Sequence, residues 1–197
     1  LKREGIIKFQ KNGRVKLINK NLLKYFIRKK DEKEIQQILE KKLKVKLSPE
    51  VPSNFIFQTK IVPKYDQLPI SVSSVIFIVK KILDYLPVGK NFLFVGDDDL
   101  ISLYLSLTEP RIESLVIDID ERLLEKINGV ARKFRLKIET KKLDITKIKK
   151  LEKSFIGFVT NPVYTFEGIK IFLGFGVDQL GKEGGYGFLV LSDEAIG

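Results

Sequence analysis

The sequence contains no cysteine, no histidine, no methionine and no tryptophan among its 197 residues. Without cysteine the chain can form no disulfide and has no thiolate nucleophile. Without histidine it lacks the commonest general base and the commonest protein ligand of zinc, copper and non-haem iron. A histidine-based catalytic triad and a HExxH zinc site are therefore excluded, and nothing in the sequence requires a metal.

Long apolar runs are missing as well. No run approaches the roughly 18–20 residues that a membrane span needs, and residues 1–5 lack the apolar core of a secretory signal. A composition of 44% hydrophobic and 31% charged residues is that of a globular protein. We therefore expect a cytoplasmic chain with no membrane partner, and its abundant lysine and isoleucine suit a thermophile.

The net charge of +11 is unevenly distributed. Residues 1–64 hold 18 Lys and Arg against 6 Asp and Glu, whereas residues 65–197 hold 18 against 19. Such asymmetry indicates two modules with different partners. The basic module predicts an anionic partner such as nucleic acid, and a solvated lysine-rich surface is an equally good interpretation.

Residues 1–64 have the pattern of a small winged-helix-like α+β module. A hairpin is predicted around Asn12-Gly13, because both residues accept positive φ. Helices are predicted over residues 19–30 and from Asp31 or Glu32 onward. Modules of this kind bind DNA or serve in packing and dimerisation, so nucleic acid binding and a homodimer are both predicted.

Residues 65–197 alternate between strand and helix signals, which predicts a parallel α/β sheet. A linker at 62–69 and a helix at 71–86 precede the alternation. Predicted strands cover 91–95, 114–117, 136–139, 155–160 and 187–191, and predicted helices cover 100–107, 121–134, 145–153 and 166–180.

The first predicted strand is followed by the acidic turn Gly96-Asp97-Asp98-Asp99. In open parallel sheets ligands bind at the carboxyl ends of the strands. Three neighbouring carboxylates raise one another's pKa unless a cation offsets them. The turn therefore predicts a site for a polyamine, a sulfonium or a metal ion, and the alternative is a helix cap with two solvated acids.

Three further polar turns follow the next strands. Asp118 lies 22 residues after Gly96, where Rossmann-like folds bind ribose hydroxyls, and Asp120 is placed to cap the next helix. Asp144 follows the third strand, where adenine binding and a helix cap are equally good interpretations. The fourth turn, Asn161-Pro162-Val163-Tyr164, occupies the reaction-centre position of many transferases, or is a plain turn.

With residues 65–67, these turns resemble the branched-chain polyamine synthase family, the N(4)-bis(aminopropyl)spermidine synthases. The resemblance covers about residues 62–197 and implies a Rossmann-like, class I methyltransferase-type fold. It implies transfer of aminopropyl groups from decarboxylated S-adenosylmethionine to a polyamine such as spermidine. Asp97 to Asp99 would then bind ammonium groups and Asp118 the ribose, and Gly96, Asp144 and Pro162 would also bind the substrates. Asp97, Asp98, Asn161 and Tyr164 are the catalytic candidates.

The sequence departs from that family in its fourth turn and in its length. The family reads Asp-Pro-Pro where this chain has Asn161-Pro162-Val163, and family members have further strands, which indicates a divergent or truncated member. Two other hypotheses remain open. Asn161-Pro162-Val163-Tyr164 is similar to the motif of amino-group methyltransferases that use S-adenosylmethionine, and a degenerate domain could serve as a non-catalytic binding protein.

Overall fold

A computed structural model describes residues 7–9, 15–17, 30–65, 67, 69–86 and 90–191. The strands of the described residues are β1 (Ile7–Phe9), β2 (Val15–Leu17), β3 (Asn91–Val95), β4 (Glu113–Asp118), β5 (Ile138–Lys142), β6 (Gly157–Thr160) and β7 (Tyr186–Leu189). The helices are α1 (Glu32–Leu43), α2 (Ser53–Ile56), α3 (Val72–Tyr85), α4 (Ile101–Thr108), α5 (Glu121–Phe134) and α6 (Phe166–Asp178), with a 3₁₀ turn at Pro63–Tyr65.

The main sheet has five parallel strands in the order β5-β4-β3-β6-β7. The chain starts in the middle at β3, builds outward through β4 and β5, and then crosses to β6 and β7 on the other side. The order in which strands are added to the sheet therefore reverses between β3 and β6, although all five strands run parallel. Such a topological switch point leaves a crevice at the carboxyl ends of the strands, which is where doubly wound sheets bind ligands.

Both faces of the sheet are covered, as its sequence predicts. β3 reads Asn-Phe-Leu-Phe-Val, and its last four residues are buried, as expected for a central parallel strand. Phe92 and Phe94 belong to the core beneath α3, α4 and α5. Leu93 and Val95 point to the opposite core, where they share a cluster with Phe175 of α6. The result is a three-layer α/β domain, which confirms the predicted fold class.

The helices follow their sequence patterns. All eight residues of α4 are buried, consistent with a helix that is apolar on every side. α5 is amphipathic and buries Leu123, Leu124 and Ile127, and the Asp120 side chain accepts a hydrogen bond from the Arg122 backbone N–H at its start. The prediction that Asp120 caps this helix is confirmed. Among the described residues, no helix combines the length and apolar character that crossing a bilayer requires.

The N-terminal third is described only in part. β1 and β2 pair antiparallel, with Ile7 opposite Leu17, as the predicted hairpin requires. The Asn12-Gly13 turn and residues 19–29 of the helix predicted over 19–30 lie outside the described residues. α1 begins at Glu32 and buries Ile35 and Leu39 in the same core as α3 and α4. The winged-helix assignment and the module boundary after residue 64 stay predictions.

Two predicted elements are corrected by the structure. The third strand of the parallel sheet begins at Ile138 rather than Leu136, because the Leu136 N–H bonds to the Ala131 carbonyl and closes the end of α5. The helix predicted over residues 145–153 is absent, and turns take its place. Gln179 accounts for this, since its side chain accepts from the Leu151 N–H at 2.8 Å and donates to the Lys149 carbonyl at 3.0 Å.

Candidate functional site

A cleft opens at the carboxyl ends of β3, β4 and β6, at the switch point of the sheet. Its cavity volume is about 280 Å³. Its walls come from all four polar turns of the sequence and from two further segments, the linker and α6. The lining residues are Tyr65, Gln67, Val95, Gly96, Asp98, Ile117, Asp118, Ile119, Leu143, Asp144, Ile145, Thr146, Asn161, Pro162, Val163, Tyr164 and Phe172.

The turn between β3 and α4 separates its three aspartates. Gly96 has φ +71°, a conformation that side-chain-bearing residues rarely adopt, and its N–H donates to the Ile117 carbonyl at 2.9 Å. Leu100, which ends the turn, also has positive φ, at +58°. Of the three acids, Asp98 alone lines the cleft, whereas Asp97 and Asp99 are buried behind it.

Asp97 supports the start of α4. Its carboxylate accepts from the Ser102 N–H at 3.3 and 3.4 Å, and 3% of the residue is exposed. Desolvation by burial raises the pKa of Asp97 well above its usual range, although the hydrogen bonds from Ser102 oppose that shift. The predicted mutual repulsion is present, but burial is the larger cause.

Asp99 connects the turn to two other parts of the chain. Its Oδ1 accepts from the Ile70 N–H at 2.7 Å, and its Oδ2 accepts from the Asn161 Nδ2 at 2.9 Å. Burial, followed by the charge of Asp98, raises the pKa of Asp99 to about 7. Asp99 therefore ties the linker before α3 to the turn after β6.

Asp118 ends β4 and faces the cleft. Its Oδ1 accepts from the Asp120 N–H at 2.8 Å and its Oδ2 from the Asp97 N–H at 3.4 Å. Burial raises the pKa of Asp118. Each carboxylate oxygen can accept a second hydrogen bond, so the group can still receive the hydroxyls of a ligand.

Asp120 is not among the residues that line the cleft, and its contacts are structural. It pairs with Arg122 at 2.6 Å and accepts from the Gln67 side chain at 2.9 Å. Burial raises its pKa, but the bonds from Arg122 and Gln67 outweigh that and leave the pKa of Asp120 below its ordinary value. Through Gln67, the linker is held against the mouth of the cleft.

Asp144 lies on a more exposed part of the wall. It accepts from the Thr146 hydroxyl at 2.6 Å and the Thr146 N–H at 3.0 Å, and pairs with Lys147 at 3.0 Å. These contacts, the Thr146 hydroxyl first, lower the pKa of Asp144 to about 2. No helix follows Asp144, so it caps a turn and not a helix.

Asn161 and Tyr164 form the fourth wall. The Tyr164 hydroxyl donates to the Asn161 Oδ1 at 2.8 Å, on the opposite side of the amide from the Asp99 contact. Pro162 and Val163 continue the wall beside them. The structure thus brings Gly96, Asp98, Asp118, Asp144, Asn161, Pro162 and Tyr164 together around one cleft, and leaves Asp97 and Asp99 behind it.

Several lining residues have no assigned role in the sequence-based prediction. Tyr65 and Gln67 come from the linker, Leu143 and Ile145 flank Asp144, and Phe172 comes from α6. The first two belong to the segment that carries the family resemblance, which is a usable signal. Phe172 has none, because its position depends on how α6 crosses the sheet.

The charge of the cleft is opposite to that of the chain. The lining includes three aspartates, Asp98, Asp118 and Asp144, and among the described residues no lysine or arginine lines it. The protein as a whole carries +11. A negative, partly buried cleft favours cationic ligands.

Strand order, acidic turn and cleft position define a Rossmann-like α/β domain of the methyltransferase type. Coclaurine N-methyltransferase, solved with N-methylheliamine and S-adenosylhomocysteine, is similar in fold at a TM-score of 0.50 and 16% identity, over 77% of this chain and 48% of that one. Within this class, the chain belongs to the branched-chain polyamine synthase A family, whose C-terminal domain matches residues 58–196.

Individual relatives are similar to part of the chain. An uncharacterized protein of Methanocaldococcus jannaschii is 46% identical over 98 residues, which are 49% of this chain and 25% of that protein. The N(4)-bis(aminopropyl)spermidine synthase of the same organism is 38% identical over 98 residues, 48% of this chain and 28% of the enzyme.

A solved structure covers more of the chain. The branched-chain polyamine synthase of Thermus thermophilus, in complex with N4-aminopropylspermidine and 5'-methylthioadenosine, has a TM-score of 0.55 and 20% identity. The similarity covers 91% of this chain and 53% of that one. The chain thus spans about half of the Thermus enzyme, and about a quarter of each Methanocaldococcus relative is matched.

Proposed function

We propose that this chain carries the substrate site of an aminopropyltransferase, which moves aminopropyl groups from decarboxylated S-adenosylmethionine to spermidine or a related polyamine. The observation that carries the proposal is the negative cleft at the switch point, lined by Asp98, Asp118 and Asp144 in a protein of net charge +11. Both the donor, a sulfonium with a primary ammonium group, and the polyamine acceptor are cations.

The cleft suits the nucleoside part of the donor. The Asp118 carboxylate ends the strand next to β3, the position from which Rossmann-like folds bind ribose hydroxyls. Its two oxygens keep acceptor capacity beyond the backbone bonds they make. Leu143 and Ile145 supply apolar surface for a purine ring, and Asp144 lies between them to accept from its amino group.

Asp98 is the residue that selects the donor. It stands in the cleft at the end of the central strand, and a carboxylate there attracts the ammonium group of decarboxylated S-adenosylmethionine. S-adenosylmethionine carries an additional carboxylate at that end of the molecule, which Asp98 would repel. The same charge on Asp98 and Asp144 favours the polyamine.

The reaction requires alignment more than acid–base chemistry. The lone pair of a neutral amine attacks the carbon beside the sulfonium, the carbon–sulfur bond breaks with its electron pair moving to sulfur, and methylthioadenosine leaves. The amine becomes an ammonium and releases one proton to Asp98 or solvent. Fixed orientation is the main source of rate for such a displacement. Asp98, Asn161 and Tyr164 would orient the amine, and Asp97 would hold the turn that carries Asp98.

A methyltransferase acting on an amino group is the second candidate. It is favoured by Asn161, which lines the cleft, accepts a hydrogen bond from the Tyr164 hydroxyl through its Oδ1, and is followed by Pro162-Val163-Tyr164. Under that hypothesis the basic residues 1–64 would bring a nucleic acid substrate. The acidic turn argues against it, since Asp98 would repel both the S-adenosylmethionine carboxylate and phosphates.

Calorimetric titration of the chain separates these functions. The ligands are methylthioadenosine, S-adenosylmethionine and decarboxylated S-adenosylmethionine, each with and without spermidine. We expect the decarboxylated donor to bind most tightly and to lose affinity in Asp118→Ala, with Glu139→Gln as the control for removing a carboxylate far from the cleft. Preference for S-adenosylmethionine would establish the methyltransferase, and no nucleoside binding would establish a non-catalytic protein.

A further inference from the structure

A chain of hydrogen bonds runs from the backbone behind the cleft to its wall. The Ile70 N–H donates to Asp99, the Asn161 Nδ2 donates to Asp99, and the Tyr164 hydroxyl donates to Asn161, at 2.7, 2.9 and 2.8 Å. Asp99 is 1% exposed, so its carboxylate cannot turn to solvent. The members come from the linker, the β3–α4 turn and the β6–α6 turn.

The chemistry of Asp99 fixes the amide of Asn161. When Asp99 is ionised, its carboxylate only accepts hydrogen bonds, so the amide presents its Nδ2 to Asp99, at 2.9 Å. The carbonyl oxygen of Asn161 then faces the Tyr164 hydroxyl, and both residues line the cleft. A carbonyl oxygen has two lone pairs, and one remains for a ligand after the Tyr164 hydroxyl has donated.

An aspartate at position 161 would not fit this arrangement in its ionised form. Its oxygen would stand 2.9 Å from the Asp99 Oδ2, at the position now held by the amide nitrogen. Two carboxylates that close cannot both be ionised, and they share a proton instead. Asparagine removes that conflict while keeping an oxygen that accepts from the Tyr164 hydroxyl.

We propose that Asp99 is a positioning residue that holds the Asn161 carboxamide in one orientation, with its carbonyl oxygen presented to the amine of the acceptor. This inference rests on the proposed function, because the ligand that uses the oxygen is the polyamine of that reaction. Asp99 does not reach the cleft itself. It sets which atom of Asn161 the acceptor meets.

The first test exchanges the two residues. Asp99→Asn alone lets the amide of Asn161 turn over, and Asn161→Asp alone sets two carboxylates against each other. The double variant Asp99→Asn with Asn161→Asp restores one donor and one acceptor across the contact. It also keeps an acceptor for the Ile70 N–H and an oxygen facing Tyr164.

The measurement is spermidine affinity in the presence of methylthioadenosine, by calorimetry. Each single variant should bind spermidine about tenfold more weakly, the effect of losing one well-placed hydrogen bond. The double variant should return to within about threefold of the native chain, because the two sites are coupled. Methylthioadenosine affinity should be unchanged in Asp99→Asn, whose residue does not line the cleft, and in the Glu139→Gln control. A double variant no better than its parents overturns the proposal.

The second test does not depend on the ligand. In ¹⁵N-labelled protein, the Asn161 side-chain NH₂ resonances should shift with the ionisation of Asp99, whose pKa is about 7, and this shift should vanish in Asp99→Asn. Asp97, Asp98 and Tyr104 also face Asp99, so Asp98→Asn should displace the midpoint without removing the titration. If the chemical shifts of the Asn161 side-chain NH₂ group do not change as Asp99 ionises, the inference is overturned. Failure of methylthioadenosine to bind, with the titration intact, overturns the proposed function instead.

Discussion

The aspartates behind the cleft and the aspartates that line it differ in what surrounds them. Asp97 and Asp99 are almost fully buried and accept bonds from backbone and amide N–H groups. Asp98, Asp118 and Asp144 border the cleft. Asp97, Asp98 and Asp99 are consecutive, yet only the middle one can meet a ligand directly.

The comparison shows how one acidic motif can do two kinds of work. In the interior, N–H donors at fixed positions replace the water that would hydrate the carboxylate. Because that replacement is incomplete, desolvation raises the pKa of Asp97 and of Asp99. On the wall, the carboxylate keeps the capacity to bind a cation. Removing an interior acid should therefore change stability and its pH dependence, whereas removing a wall acid should change ligand affinity.

The largest expected effect is the pH dependence contributed by Asp99. Its pKa is about 7 in the folded chain against an ordinary value of 3.8. The folded state therefore holds the proton more tightly, and the free energy of unfolding should fall as pH rises from about 4 to about 7, on the order of a few kcal/mol. Urea denaturation across that range measures it.

Two variants isolate the Asp99 contribution. In Asp99→Asn the fall over this range should become shallower without vanishing, because burial also raises the pKa of Asp97 and of Asp118. In Asp98→Asn it should persist with a lower midpoint, since the charge of Asp98 raises the pKa of Asp99. A native stability that rises over the same range would contradict the burial argument for Asp99.

Next in size is the effect of Asp98→Asn on the donor. Losing the carboxylate should weaken decarboxylated S-adenosylmethionine by about 10- to 100-fold, as for a hydrogen bond to a charged group. Methylthioadenosine has neither a sulfonium nor an ammonium group, so its affinity should change by less than about twofold. Parallel titrations decide this, and an equal loss for both ligands would show that Asp98 supports the turn and does not bind the cation.

Much of this fold follows from local sequence signals. β3 and β4 are apolar runs, and α5 has an aspartate cap and an amphipathic pattern, so each element is specified by its own residues. The helix prediction over residues 145–153 is wrong because the conformation of that segment depends on a distant residue. Its backbone is bound by Gln179, about 30 residues away, and no local pattern contains that contact.

The site shows the same division. The rule that ligands meet the carboxyl ends of parallel strands brings Asp98, Asp118 and Asn161 together from sequence alone. Sequence could not separate Asp97, Asp98 and Asp99, because they are identical residues in one turn. Their separation depends on a partner such as Ile70, whose N–H meets Asp99 across 29 positions of the chain.

A third, smaller effect concerns the glycine that shapes the turn. Gly96 has φ +71°, so Gly96→Ala should cost about 1–2 kcal/mol of stability. Its new Cβ would stand 3.6 Å from Phe172 and 4.0 Å from the Asp118 Oδ2, so methylthioadenosine affinity should fall too. Gly184→Ala is the matched control, with φ +78° and open space around it. Gly184→Ala should lose a similar amount of stability and keep its methylthioadenosine affinity. An equal loss of affinity in both variants would show that the Gly96 turn is not the cause.

The smallest effect should come from Asp144, whose side chain is 38% exposed. Its pKa is about 2 because the Thr146 hydroxyl and Lys147 favour the charged form. A lowered pKa stabilises the fold above the ordinary value of 3.8 and loses that contribution as pH falls toward 2. In the native chain, the Asp144 contribution to the free energy of unfolding should therefore decrease as pH falls, whereas that of Asp99 decreases as pH rises. Asp144→Asn should remove this small decrease at acid pH.

Salt should weaken the Asp144 effect, since an exposed ion pair is screened, and leave the Asp99 effect in place. If both respond equally to salt, the division between interior and wall acids fails.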